Sequence, residues 1–247
     1  MKENLSIVLV ETTHAGNIGA AARAMKTMGF DDLRLVRPCK YLTAESLARA
    51  SGADDIVKNA AVFDSLEDAL RDRSRVFGTS ARSRTLEWSS QELPDAVAEI
   101  NAVDLASAIV FGRERSGLSN DELALCHSRL AIPSNPDFSS LNLASAVQVV
   151  TYELRRGRGF GSDEVSEVSG ARSDTTQEPV ASHETLEHMF DHFERVAVNT
   201  GFLDPENPRL LMQRFRRLFS RAPLLLSEAQ IMRGFLTAVE KSMQRSV

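Results

Sequence analysis

The chain has 247 residues, 43% of them apolar and 26% charged, with a formal net charge of −5. That is the profile of an ordinary globular protein with room for one substantial core and a smaller second unit. No stretch approaches the roughly 18 uncharged apolar residues of a membrane span, which sets aside a membrane protein. Met1-Lys2-Glu3-Asn4 runs straight into a short apolar segment with no small-residue cleavage site, which argues against a secretory leader and for a cytoplasmic protein. Cys39 and Cys126 belong to no CxxC pattern and read as idle thiols. The acidic balance argues against a simple basic nucleic-acid binder, but the charge is uneven. Residues 161–207 carry two basic and eleven acidic side chains, and 208–247 carry eight and two. Local arginine clusters decide whether a phosphate backbone is welcome, so net charge is a poor guide.

Six apolar runs rich in Val, Ile and Leu read as buried strands: Leu5–Val10, Leu33–Val36, Ala61–Phe63, Arg75–Gly78, Ser107–Phe111 and Arg129–Ile132. Helical patterns separate them at Asn17–Met28, Ala44–Ala50, Leu66–Leu70, Gln91–Ile100 and Asp121–Leu125, and a longer helix follows over Leu141–Arg155. Such β-then-α alternation predicts an α/β fold, a mostly parallel sheet covered by helices on both faces, over residues 1–157. Residues 158–182 are rich in Gly, Ser, Asp, Glu and Thr, lack any period and read as a flexible linker. Beyond them, apolar residues recur at helical spacing and predict a small all-helical C-terminal unit over 183–247.

In an open α/β sheet, ligands bind beyond the carboxyl ends of the strands. The loop after the first run, Glu11 to Gly16, has neither GxGxxG nor GxxxxGK[ST] spacing, which weakens dinucleotide and NTPase readings. Three later loops are unusually polar: Thr79 to Thr85, Gly112 to Leu118, and Pro133 to Asn142. Small residues there let backbone groups approach a ligand, and arginines supply forked donors for phosphate. Together they predict a small-molecule pocket beside an anion-binding surface.

These residues resemble a known family. Asn17-x-Gly19-x-x-x-Arg23, then Phe111-Gly112-Arg113-Glu114-x-x-Gly117-Leu118, then Ile132-Pro133 followed by Ser139-Ser140-Leu141-Asn142-x-x-x-Ala146, look like the three ordered motifs of SPOUT-class RNA ribose methyltransferases. The segment Gly78 to Arg84 and the helical extension narrow the resemblance to the bacterial TrmJ-type tRNA enzymes, which methylate the ribose at nucleotide 32. The resemblance implies a deep trefoil knot in the C-terminal part of the sheet, a homodimer with each site near the subunit interface, and S-adenosylmethionine as methyl donor. It implies no metal, because a sulfonium already makes the methyl electrophilic. Carried over by motif, the donor pocket would use Thr79, Ser80, Ala81, Gly112, Glu114, Ile132, Ser139, Ser140, Leu141 and Asn142. Arg23 and Ser140 would be catalytic. Arg23 would grip the RNA phosphate and stabilise the developing alkoxide, since a guanidinium is a poor base at neutral pH, and Ser140 would place the hydroxyl. Asn17, Arg23, Arg82, Arg84, Arg115, Arg214, Arg216 and Arg217 are the candidates for tRNA contact. Phe138 stands where close relatives would have tyrosine, so a phenolic hydroxyl has no part here.

Taken singly, the same residues admit plainer roles. Asn17 fits a helix cap, Gly19 close packing, Glu114 an ion-pair cluster with Arg113 and Arg115, and Ser139 and Ser140 a cap before Leu141. Glu184, His188 and His192 have i,i+4 spacing but lie off the apolar face of a helix, so a metal site is disfavoured. Trp88 and the C-terminal phenylalanines read as core, and His14, beside the first loop, has no evident partner. Two other functions remain open: the same chemistry on another RNA such as rRNA, or a non-catalytic RNA-binding module on the same scaffold.

Overall fold

The computed structural model describes residues 4–80, 90–102, 105–135, 137–158, 178–208, 210–219 and 223–244. Strand β1, Leu5–Val10, is buried along its whole length and sits in the interior of the sheet, beside the central strand. Its side chains alternate between two cores, Leu5, Ile7 and Leu9 on one face and Val8 and Val10 on the other. Burial of each such large aliphatic side chain contributes about 1.5–3 kcal/mol. β1 pairs in parallel with β2 (Leu33–Val36) and β6 (Ser107–Phe111), Ile7 lying opposite both Leu33 and Ile109.

With β3 (Ala61–Phe63), β4 (Arg75–Thr79), β5 (Ser90–Glu92) and β7 (Ser128–Ala131), the strands form one seven-stranded sheet in the order β3-β2-β1-β6-β4-β7-β5. Every pairing is parallel, as the alternation predicts. β5 escapes the sequence reading because Ser90-Gln91-Glu92 has no apolar residue. It is an edge strand, and β7 is the strand it pairs with.

One face of the sheet packs on α1 (Ala15–Met28), α2 (Ala44–Ala50), α3 (Asp54–Asn59), α5 (Leu93–Ala102) and α7 (Leu143–Gly157). The other packs on α4 (Leu66–Leu70) and α6 (Asn120–Ala124). α3, unpredicted, is six residues long, too short to display a period, yet it buries Ile56 and Val57. Gly19 matters to packing: a Cβ there would lie 1.9 Å from the Ser46 carbonyl oxygen, so α1 and α2 meet backbone to backbone.

Three further helices, α8 (His183–Asn199), α9 (Leu211–Phe219) and α10 (Leu226–Gln244), share a third cluster around Leu186, Met189, Phe190 and Ala229. Its contact with the sheet unit runs through the start of α8, where the His183 N–H donates to the Arg73 carbonyl at 2.7 Å. Among the described residues no helix is long and apolar enough to cross a membrane.

The chain moves from β1 outward to β2 and β3, then crosses back so that β4, β6 and β7 lie on the other side of β1. Such a reversal opens a crevice at the strands' carboxyl ends. The described residues of the three polar loops lie there.

Candidate active site

Two hydrogen bonds pin the end of β4 to its neighbours. The Thr79 hydroxyl donates to the Val110 carbonyl at 2.9 Å, and the Ser80 N–H to the Leu130 carbonyl at 3.1 Å. After β6 the chain doubles back at once. A Cβ on Gly112 would sit 2.2 Å from the Gly117 carbonyl carbon and the Leu118 nitrogen, so this fold of the loop requires glycine. The Gly117 N–H closes it by donating to the Arg113 carbonyl at 2.9 Å. Beyond β7, the Ser134 hydroxyl donates to the Ser139 carbonyl at 3.1 Å and holds the serine loop in shape.

These loops enclose one cavity. Of the residues expected to hold a methyl donor, Thr79, Ser80, Gly112, Glu114, Ile132, Ser139, Ser140 and Leu141 line it, and Arg115 stands exposed at the wall. Leu118 and Ala146, which stand in the quoted motifs but were not expected to touch the donor, add apolar surface together with Leu130 and Leu143, which the sequence reading missed because nothing in their local pattern separates them from ordinary core. Ala81 lies outside the described residues. Asn142 does not line the cavity. Its side chain accepts from the Ala144 N–H at 2.9 Å and caps α7. That corrects the reading of Ser139 and Ser140 as the cap and leaves both serines facing the cavity.

Glu114 is bound to the first loop and not to its arginine neighbours. Its carboxylate accepts from the Thr13 hydroxyl (2.9 Å), the Thr13 N–H (3.2 Å), the His14 N–H (3.3 Å) and the Asn17 amide (3.0 Å). Burial pushes its pKa up, but the bonds from Asn17 and Thr13 outweigh that and hold the carboxyl below its usual range. Asn17 in turn accepts from the Asn142 amide at 3.3 Å. It is the third residue of α1, whose cap position is His14, so the helix-cap reading of Asn17 is also corrected. The loop after β6, the first turn of α1 and the cap of α7, far apart in sequence, are thus tied by one chain, Glu114–Asn17–Asn142.

Arg113 carries the ion pairing that sequence proximity suggested for Glu114. Its guanidinium meets Glu122 with two bonds of 2.9 Å and Glu11 with one of 2.6 Å. Those bonds to Glu122 and Glu11 raise its pKa further. The Glu11 carboxyl is lowered by Arg113 and Arg37.

Arg23 lies on the exposed side of α1 and is not among the cavity-lining residues. Arg82, Arg84 and Trp88 fall outside the described residues. In the C-terminal cluster the arginines separate. Arg214 is exposed. Arg216, expected to face RNA, is instead paired through both terminal nitrogens with Glu187 and lies 4.7 Å over the Phe190 ring. Arg217 is partly buried. Phe215 stacks on Phe193 with centroids 5.2 Å apart, as a core residue does, whereas Phe202 and Phe235 are exposed, against expectation. His188 is exposed, but His192 is buried with Nε2 3.2 Å from Glu240, which corrects the placing of both off the apolar face. Among the described residues no group of three or more His, Cys, Asp or Glu is arranged to hold a metal. Burial raises the pKa of both thiols, Cys39 and Cys126, so neither is activated as a nucleophile.

Residues 4–152 match the model of the SpoU rRNA Methylase family, and residues 184–247 match that of the tRNA methyltransferase TrmJ, C-terminal domain. The tRNA (cytidine/uridine-2'-O-)-methyltransferase TrmJ of Cronobacter sakazakii is 45% identical over 246 residues, covering 98% of each chain. The crystal structure of TrmJ from Z. mobilis ZM4 aligns with a TM-score of 0.81 at 33% identity, over 95% of this chain and 98% of that one. A structure giving insight into the 2-OH methylation of C/U34 on tRNA aligns with a TM-score of 0.51 at 30% identity, over 62% of this chain and 95% of that one. With residues that follow β4, β6 and β7 meeting at one cavity and a family model spanning residues 4–152, the chain belongs to the SpoU rRNA Methylase family.

Proposed function

We propose that this chain transfers a methyl group from S-adenosylmethionine to the 2′-hydroxyl of a ribose in tRNA, on cytidine or uridine at nucleotide 32 of the anticodon loop. The observation that carries the reading is the cavity at the carboxyl ends of β4, β6 and β7, with the Glu114–Asn17–Asn142 chain fixing its loops.

The residues present fit such a donor. Leu118, Leu130, Ile132 and Leu141 offer apolar walls to a flat ring, and Gly112 keeps the loop clear where a Cβ would collide. Glu114, held ionised at the wall, complements a positive charge. When bound, S-adenosylmethionine supplies a methyl made electrophilic by its sulfonium. The chain's own task is then to bring a ribose hydroxyl in line and to stabilise the charge left as its proton departs. Ser140, exposed at the cavity, is placed to hydrogen-bond that hydroxyl. Arg23 grips the adjoining phosphate and stabilises the developing alkoxide; Asn17, Arg115, Arg82, Arg84, Arg214 and Arg217 serve the RNA. Because Arg23 does not line the cavity of its own chain, it acts at the cavity of a second copy in a homodimer. The remaining proposals follow the family resemblance: a trefoil-knotted methyltransferase domain over 1–157, a linker over 158–182 whose last residues pack on the helical unit through Pro179, Val180 and Ala181, a helical domain over 183–247, and a cytoplasmic location.

tRNA is preferred to rRNA because the C-terminal residues match a domain of tRNA methyltransferases. Nucleotide 32 is preferred to 34 because the C/U34 neighbour is covered almost whole by only 62% of this chain, and this chain carries an extension besides. Purified protein is incubated with unmodified tRNA and labelled S-adenosylmethionine, and the modified ribose is mapped. Label on the 2′-oxygen of nucleotide 32 is expected; label on a base, on rRNA alone, or nowhere overturns the reading.

A further inference from the structure

The loop from Gly112 to Leu118 is gripped on two sides by adjacent residues of opposite charge. Glu114 takes its donors from Thr13, His14 and Asn17. Arg113 turns the other way, to Glu122 on α6 and to Glu11 at the end of β1. Its Nη1 also approaches the Gly117 carbonyl at 3.5 Å, so one guanidinium touches both arms of the loop's turn.

Glu11 itself is held in an unusual backbone state. Its φ is 46° and that of Arg37 is 42°, both in the left-handed region that non-glycine residues seldom adopt. The two side chains bond each other, Arg37 Nε and Nη2 donating to Glu11 Oε1 at 2.8 and 2.6 Å, while Oε2 is left for Arg113. Two strained strand ends are therefore locked to the loop by one carboxylate. Glu122 bonds Arg113 with both oxygens, and Oε2 also accepts from the Ser119 N–H at 2.7 Å. Neither Glu11 nor Glu122 lines the cavity, whereas Arg113, Glu114 and Gly117 do.

We propose that Glu11 and Glu122 are positioning residues for the methyl-donor cavity, acting through Arg113 to hold the 112–118 loop in its binding shape. The inference rests on the reading of that cavity as a donor site. A bidentate guanidinium–carboxylate pair fixes direction as well as distance, so it sets the loop more tightly than a single charge contact does.

The experiment compares Glu122→Gln, Glu11→Gln and, as a control for loss of the α6 cap alone, Ser119→Ala. Three quantities are measured on the full chain: S-adenosylhomocysteine affinity by calorimetry, hydrogen exchange at the 112–118 amides without ligand, and KM for the donor against kcat. Glu122→Gln and Glu11→Gln are each expected to weaken S-adenosylhomocysteine by about tenfold and to speed loop exchange by a similar factor. KM for S-adenosylmethionine rises in step while kcat at saturating donor stays within about twofold. Ser119→Ala, which lowers stability through the cap, leaves affinity and loop exchange within about twofold. Native affinity and exchange in both carboxylate variants, or equal losses in Ser119→Ala, overturn the proposal. A wild-type chain that fails to bind S-adenosylhomocysteine overturns the donor-site reading instead, and the exchange data still decide whether the latch holds the loop.

Discussion

Asn17 and Glu114 stand 97 residues apart in the chain and meet with Nδ2 3.0 Å from Oε1. That bond joins the first turn of α1 to the loop after the sixth strand, and the Asn142 amide ties the cap of α7 to the same turn. The amide of Asn17 serves as donor and acceptor at once, which no aliphatic or purely acidic side chain reproduces.

Asn17→Ala is expected to lower unfolding free energy by about 1–2 kcal/mol, since it strips a partner from a partly buried carboxylate. Methyl transfer should fall by tenfold or more as the loops lose register. Asn17→Asp should cost more than Asn17→Ala at pH 7, because it sets a second carboxylate against Glu114. Urea unfolding of the three proteins checks this; equal stability of Asn17→Asp and wild type would sink the idea.

Arg23→Lys keeps the charge and loses the planar fork. Binding of tRNA is expected to stay within about threefold, while the single-turnover rate falls by about a hundredfold. Filter binding and rapid-quench methylation separate the two effects, and near-native turnover would count against Arg23 at the reacting centre.

His127 is buried, and its Nδ1 accepts from the Val76 N–H at 3.0 Å. Burial, aided by Arg75 and His183, pushes its pKa down to about 3. The unfolded chain therefore binds a proton that the folded chain refuses between about pH 6.5 and 3. Stability is full above that window and declines as pH falls through it, by at most about 1.4 kcal/mol per pH unit for this group. His127→Asn offers an oxygen to the same N–H without titrating. Its plot of unfolding free energy against pH should be flatter between pH 6 and 4, and an unchanged slope would remove His127 as the cause.

Arg214 and Arg216 should separate by phenotype. Arg216→Ala breaks the paired bonds to Glu187 and the contact with Phe190, and is expected to cost about 1–3 kcal/mol. Arg214→Ala, on the exposed side of α9, should stay within about 0.5 kcal/mol of wild type. The same change should reduce the salt dependence of tRNA affinity by about one counterion. Thermal melts and a salt series of binding isotherms test both; a melting point lowered equally in the two variants would contradict the assignment.

By itself the amino-acid order determined the local terms. Predominantly apolar runs mark β1, β2, β4 and β6 because a strand buried on both faces has few places for a polar side chain, and the helices between them follow from side chains repeating at 3.6 residues. Small and polar residues after those runs located the cavity loops. β5 was invisible because an edge strand held by backbone bonds needs no apolar side chain. Only the tertiary structure decided partners. Glu114 is flanked by two arginines in sequence yet bonds Asn17 and Thr13, because the parallel sheet brings the carboxyl ends of β1 and β6 side by side. Arg214 and Arg216 are two residues apart and alike in composition, yet lie on different sides of a helix turning 100° per residue, so one meets Glu187 and the other solvent. Periodicity is a property of neighbours along the chain. Pairing of charges and amides across a hundred residues is set by the crossover of strands, and no local pattern records it.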